Sequence, residues 1–271
     1  MSGNLRERVA AAMAVRELVR RLATLLSAEG VDLAVLKGAL LQHAVYDDPA
    51  ERTVNDVDLL VGEADFSRAD RALVRAGFLR AYDEPGHRQH VFHLQGSRFA
   101  VDLHRELFFP GEFRLRAVDL LARARRDTTI FGAPVLLPDP YDLYAHLFGH
   151  FVHTWLSTRE VHHPRDFALV AARFRLEASA CARALLSSGM ARPARYGLPL
   201  IDDAFARAVL AALPFDPFAQ PLATAVRAIV PRLPANHGLG LLPPKLLNRS
   251  PPSALRAVAG GTLRRLRRRL R

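Results

Sequence analysis

The apolar positions change period along the chain, and each change marks an element. Val9, Met13, Leu18, Leu22 and Leu25 recur at helical intervals and predict an amphipathic helix over 6–28, which Gly30 ends. Residues 31–36 are a short apolar run that predicts a buried strand. Lys37-Gly38 follows as a turn, then a short helix over 39–46 that Asp47-Asp48-Pro49 breaks. Residues 56–61 predict a second strand. A helix over 64–76 places Phe66, Ala69, Leu73 and Ala76 on one face and closes at Gly77. Two strands over 88–94 and 98–104 meet at Gln95-Gly96-Ser97 as a hairpin. In the second of them Phe99, Val101 and Leu103 face one way, and Ala100, Asp102 and His104 the other. A short β-segment over 134–137 precedes Pro138-Asp139-Pro140.

Beyond that proline pair the period is helical. Helices are predicted over 141–156, 165–174, 176–188, 203–213 and 219–229, and no repeat of fixed period occurs. Residues 233–252 are rich in Pro, Gly and Asn and predict irregular surface chain. The expected division is an N-terminal helix (1–29), an α/β core (30–138), a helical region (139–232), and an irregular segment with a basic tail (233–271).

Composition narrows this picture. Half of the 271 residues are hydrophobic, enough for one large core or two smaller ones. No apolar run approaches the roughly 18–20 residues that span a bilayer. The Arg-rich start, without a cleavage-type ending, is expected to be a helix and not a signal peptide. Cys181 stands alone, which excludes an intrachain disulfide and fits a cytoplasmic protein. Its alanine and leucine neighbours predict a buried, apolar role. The net charge is +11, but seven arginines from Arg256 onward, with no acid among them, leave +4 for the rest. That tail could contact nucleic acid or an anionic membrane. A solvated terminal helix is the favoured expectation. Lys37 and Lys245 are the only lysines among 38 basic residues, so a lysine in this chain is a marked choice.

Candidate chemistry centres on Asn55-Asp56-Val57-Asp58-Leu59-Leu60-Val61. The strand period of two puts Asp56 and Asp58 on one face, and adjacent like charges call for a cation between them. The competing reading is a solvated strand end. Asp102 adds a third strand carboxylate, and the glycine turn at Gly38 leads into a helix N-terminus where backbone N–H groups can approach a phosphate. These are the parts of a two-metal phosphoryl- or nucleotidyl-transfer site. His146, His150 and His153 share a helical face, but their spacing does not make a zinc site; His87, His90 and His93 are expected on loop and edge positions of the hairpin.

The ordered set Leu36-Lys37-Gly38-Ala39-Leu40-Leu41, Arg52, Asp56-Val57-Asp58-Leu59-Leu60-Val61 and Val101-Asp102-Leu103-His104 resembles an uncharacterised nucleotidyltransferase family with a Lys-Gly signature, within the polymerase-β-like superfamily. The resemblance is good over about 30–175. It implies an α+β fold: a small mixed β-sheet core with flanking helices, followed by a helical C-terminal region. It implies transfer of a nucleoside monophosphate from a triphosphate, ATP by default, to an unidentified hydroxyl acceptor, with two Mg²⁺ ions, or Mn²⁺ in their place. Asp56, Asp58 and Asp102 would be catalytic and hold the metal. Lys37, Gly38 and Arg52 would contact the nucleotide. His104, His150 and Asp166, beside Arg165, are candidates for the substrate cleft. The wider superfamily has Gly-Ser or Gly-Gly in this turn; here it is Lys37-Gly38, and Lys37 stands ready as a point charge on a phosphate. Two rival functions stand beside this one: an inactive nucleotide- or partner-binding module on this fold, and an accessory protein that binds nucleic acid or an anionic membrane through its arginine tail.

Overall fold

Val57, Leu59 and Val61 are fully buried, and Asp56 alone on their strand is exposed, which marks a central strand seen from its end. That strand (β2, Asp56–Val61) pairs antiparallel with β1 (Leu33–Leu36) and parallel with β5 (Ala100–His104). Outward from β5 lie β4 (Gln89–Leu94) and β3 (Phe78–Tyr82), each antiparallel to its neighbour. Outward from β1 lie β7 (Val135–Leu137), parallel, and β6 (Arg125–Asp127), antiparallel to β7. Among the described residues these seven strands form one mixed sheet, in the order β3-β4-β5-β2-β1-β7-β6. The computed structural model describes residues 5–82, 89–159, 161, 163–217, 219–233 and 247. His87, Lys245 and the tail from Arg256 lie outside the described residues, as does nearly all of 233–252.

The chain divides into two compact units, 1–107 with 116–143, and 108–115 with 144–271. In the first, the sheet has two differently used faces. Register puts Ala34, Leu36, Leu60, Asp58, Asp102 and His104 on one face. There Ala34, Leu36 and Leu60 form a small apolar cluster with Ala117 and Leu120 of α4 (Ala117–Arg123). The cluster covers one end of this face and leaves the polar residues at the other. Val35, Val57, Leu59, Val101 and Leu103 point the opposite way and are fully buried. The helices α1 (Leu5–Ala28) and α3 (Glu63–Arg75) contact the sheet's strands.

Helix α1 forms where expected but buries a different stripe. Val15, Leu18, Val19, Leu22 and Leu26 are inside, whereas Val9 and Met13 are exposed. A helix this rich in Ala, Val and Leu has apolar residues almost all round, so spacing alone does not select the core face. Gly30 (φ +67°) and Gly77 (φ +88°) end α1 and α3 in the left-handed region, as their positions predict. A second correction concerns the hairpin histidines. β4 is an inner strand because β3, which the sequence pattern did not reveal, covers its edge. His90 is therefore half-buried, with Nδ1 2.7 Å from Asp70 Oδ1 and its ring edge-on to Phe66; His93 is exposed. Asp70 also accepts from Arg80, which explains a buried carboxylate on α3.

The second unit is helical: α5 (Pro140–Thr158) enters it from the first, followed by α6 (Arg165–Phe174), α7 (Ala178–Ser187), α8 (Ala191–Gly197), α9 (Ala204–Ala211) and α10 (Ala219–Ile229). Its aromatic core centres on Phe167, whose ring lies 5.4 Å from Phe151 and 5.6 Å from Tyr144. Cys181 is fully buried on α7, and burial pushes its thiol up to about 12. Gly149 lies within the continuous helix α5, and its lack of a side chain has a packing reason. A Cβ there would lie 2.6 Å from Phe108 Cζ and 2.8 Å from Met190 Cε. Gly149→Ala is expected to cost about 1–3 kcal/mol of overpacking, partly offset by about 1 kcal/mol of helix propensity. Thermal melting should show a lowered Tm, and an unchanged or raised Tm would contradict the packing shown. Among the described residues no helix is long and apolar enough to cross a membrane.

Candidate active site

The parallel pairing of β2 and β5 builds the site. Asp58 and Asp102 are direct register partners, so both carboxylates project from neighbouring strands on one face. His104 lies one side-chain step further along β5, and Asp56 one step earlier on β2. Ligand atoms of Asp58, Asp102 and His104 all lie within 4.8 Å of one another. Antiparallel pairing of β1 sets Leu36 against Asp58, so the residue after β1, Lys37, emerges beside the carboxylates. Its Nζ donates to Asp58 Oδ1 at 2.6 Å, and His104 Nε2 lies 2.9 Å from the same oxygen.

Helix α2 (Lys37–Ala44) begins at Lys37 itself, so Lys37-Gly38 is the first turn of a helix and not a separate turn. The helix is preceded by Leu36, whose side chain cannot cap, which leaves the first amides of α2 without a side-chain acceptor. Lys37 has φ +46°, a region that favours glycine. Gly38 is not in that region. A Cβ on Gly38 would meet Val54 Cγ2 at 3.4 Å and Arg52 Nη2 at 3.8 Å, ordinary contacts. Arg52 is held by its own loop: Nη1 donates to Thr53 O at 2.5 Å, and its carbonyl accepts from the buried Gln42 Nε2 at 2.7 Å.

The three carboxylates have different electrostatics. Asp58 is 2% exposed, and burial alone would raise its pKa. The Lys37 ammonium and the His104 hydrogen bond outweigh burial and hold it well below the usual carboxylate range. Asp102 has no such cation in contact. Burial, then the negative charge of Asp58, push it up to about 6, with His104 offsetting part of the rise. Asp56 is exposed as a residue, yet its carboxyl is crowded. That partial desolvation and the charge of Asp58 raise its pKa too. Lys37 itself would be lowered by burial, but Asp58 beside it, with Asp56 and Asp102 further off, raises it. The lysine is thus a charged ammonium among carboxylates.

The donor set fits a hard divalent cation: carboxylate oxygens from two adjacent strands, with one imidazole at the margin. The set also shows what sequence reading missed. Gln89 on β4 donates from Nε2 to Asp102 Oδ2 at 3.2 Å. The signal lay in the hairpin register, which opposes Gln89 to His104 and Val91 to Asp102.

Lys37, Gly38, Arg52, Asp56, Asp58, Asp102 and His104 all lie in the first unit, and Lys37, Asp58, Asp102 and His104 form the cluster. His150 and Asp166 belong to the second unit. There His150 is exposed on α5 and Asp166 is buried in the first turn of α6. The histidines at helical spacing have unlike surroundings. His146 is buried against Phe108, while His153 Nδ1 lies 2.5 Å from the buried Glu112 Oε1.

Residues 1–206 match the family described as uncharacterised nucleotidyltransferase. The chain belongs to this family. Comparison of this nucleotidyltransferase family member with curated proteins finds no match. Two solved structures are similar to it at low identity. One is the solution structure of the antibiotic-resistance factor ANT(2'')-Ia, 11% identical, covering 65% of this chain and 91% of that one, with a TM-score of 0.48. The other is the crystal structure of an antigenic nucleotidyltransferase-like protein from Paracoccidioides brasiliensis, 16% identical, covering 82% of this chain and 94% of that one, with a TM-score of 0.37.

Proposed function

We propose that the protein transfers a nucleoside monophosphate from a nucleoside triphosphate to a hydroxyl acceptor and releases pyrophosphate. The observation that carries this is the register of Asp58 against Asp102, which converges strand carboxylates beside the start of α2. The acceptor oxygen forms a bond to the α-phosphorus, the bond from that phosphorus to the pyrophosphate oxygen breaks, and the hydroxyl proton passes to a carboxylate. Asp102 is the residue suited to take it. It stands level with Asp58 on the neighbouring strand, on the face that the carboxylates share. Asp56, Asp58 and Asp102 would hold Mg²⁺, or Mn²⁺ in its place, and the ion would stabilise charge on the transferring phosphoryl group. Gly38 and the uncapped first amides of α2 would receive the triphosphate, with Arg52 anchoring the loop that flanks it. His104 orients Asp58. ATP is the first donor to try.

The test is transfer of label from each α-labelled triphosphate into protein, RNA and small-molecule fractions, with pyrophosphate measured alongside. Metal-dependent transfer supports the reading. Triphosphate binding without pyrophosphate release would instead identify an inactive binding module, which the Lys37–Asp58 ion pair favours as the second reading.

Gly38 gives a separable prediction. The space around it accepts a methyl group, so Gly38→Ala should leave Tm within about 2 °C. If the backbone at Gly38 meets a phosphate, the same methyl should raise the triphosphate KM about tenfold or more. Equal kinetics for the two proteins would remove Gly38 from the nucleotide site.

A further inference from the structure

Lys37 is placed against a carboxylate, where a cation is wanted. Asp58 Oδ1 is already occupied by two donors, Lys37 Nζ at 2.6 Å and His104 Nε2 at 2.9 Å, which leaves only Oδ2 for an ion. A two-ion clamp on adjacent oxygens needs a carboxylate that offers an oxygen to each ion. We propose that the Lys37 ammonium is a resident cation of the cluster and takes the place of one of two metal ions, so that the site holds a single divalent ion. The proposal rests on the nucleotidyl-transfer reading of the site and replaces the two-ion arrangement that the family resemblance implies.

Three further observations support it. Asp56, Asp58 and Asp102 together carry three negative charges. One ammonium reduces this to two, which a single divalent ion neutralises. The residue type is selective as well. With 38 basic residues of which only two are lysines, this chain puts a lysine here. An ammonium is a compact point charge, as a metal ion is, whereas a planar guanidinium is not. The backbone agrees. Lys37 holds φ +46° without being glycine, a conformation that costs free energy and persists where surrounding contacts hold it. The 2.6 Å contact with the buried Asp58 is one such contact.

The experiment counts ions. Mn²⁺ alone is titrated into the full chain, free Mn²⁺ is followed by electron paramagnetic resonance, and the bound spectrum is inspected for exchange coupling between neighbouring ions. The wild type should bind one Mn²⁺ with the spectrum of an isolated ion. Lys37→Gly suits the backbone conformation at this position. It should bind two, with the coupled spectrum of a pair about 3.5–4 Å apart. Lys37→Arg keeps a cation and should bind one. Two ions on the wild type would overturn the proposal whether or not any variant folds, and would leave the nucleotidyl-transfer reading intact. A single ion on a folded Lys37→Gly chain, checked by its thermal melt, would overturn it as well. No bound Mn²⁺ on the wild type would overturn the single-ion proposal, and the nucleotidyl-transfer reading would stand or fall on the labelled-triphosphate test.

Discussion

Asp56→Ala is expected to lower nucleotidyl transfer by about a thousandfold or more while leaving the fold intact. Asp56 is exposed and makes no ion pair in the structure's cluster contacts with Lys37 and His104, both of which go to Asp58. Removing it should move Tm by no more than about 2 °C. It does remove one oxygen ligand and one negative charge from the site that is to hold the metal and the triphosphate. A thousandfold loss is about 4 kcal/mol of barrier, the scale expected for a preorganised electrostatic contact to the transferring group. Asp58→Ala should lose as much activity and also destabilise the protein, by about 3–5 kcal/mol, because a half-buried ammonium and the buried His104 lose their shared acceptor. The pair of variants separates chemistry from folding. Initial rates of pyrophosphate release and thermal melts of both proteins make the measurement, and full activity in Asp56→Ala would refute the assigned chemistry.

Asp102→Asn should abolish most activity, by about a hundred- to ten-thousandfold, and at the same time stabilise the metal-free protein. The folded chain holds the Asp102 proton more tightly than the unfolded chain does, since its pKa is pushed from 3.8 to about 6. The penalty for ionising it is absent at pH below about 4. It grows as pH rises toward 6 and is fully present at pH 7. With allowance for solvent screening at a half-buried side chain, it amounts to about 1–2 kcal/mol. Asparagine removes that charge and keeps an oxygen for the Gln89 donor. Tm of the metal-free variant at pH 7 should therefore rise by about 2–6 °C, and the gain should vanish near pH 4. Mn²⁺ should raise the wild-type Tm more than that of the variant, because the ion relieves the repulsion that asparagine has already removed. A variant less stable than wild type at pH 7 would mean that Asp102 is a structural ion-pair partner and not a strained ligand.

The first of these residues was legible from spacing. Asp56 and Asp58 alternate on a strand, and an apolar run from Val57 to Val61 makes the strand a buried one, so period two alone aligns their side chains. The helices over 165–174 and 219–229 also fall where their apolar period places them, because the pattern there is strong and the flanking breakers are clear. Less legible were β3 and β6. β3 buries Phe78 but exposes Leu79, and β6 is three residues of two arginines and an aspartate. Such edge segments carry too little apolar signal to declare themselves. Their pairing partners decide them. Missing β3 is what misplaced His90, since an edge strand and an inner strand have the same sequence period.

The sequence by itself determined the parts: a mixed α/β half, a helical half, an Asp-x-Asp strand, a later strand aspartate and a rare lysine at a helix start. Those follow from local periods and residue types, which act within a few residues. Only the tertiary structure decided how the parts meet. The parallel register of β2 with β5 sets Asp58 level with Asp102, and the antiparallel register of β1 with β2 brings Lys37 to Asp58. A slip of one residue in either pairing would turn a carboxylate to the other face, and no local pattern encodes that choice. The same is true of the pKa differences. Asp56, Asp58 and Asp102 are the same residue type, and they differ because one is buried against an ammonium and an imidazole while the others face its charge. Desolvation and charge proximity are properties of packing in space, so they appear only when strands distant in sequence stand side by side.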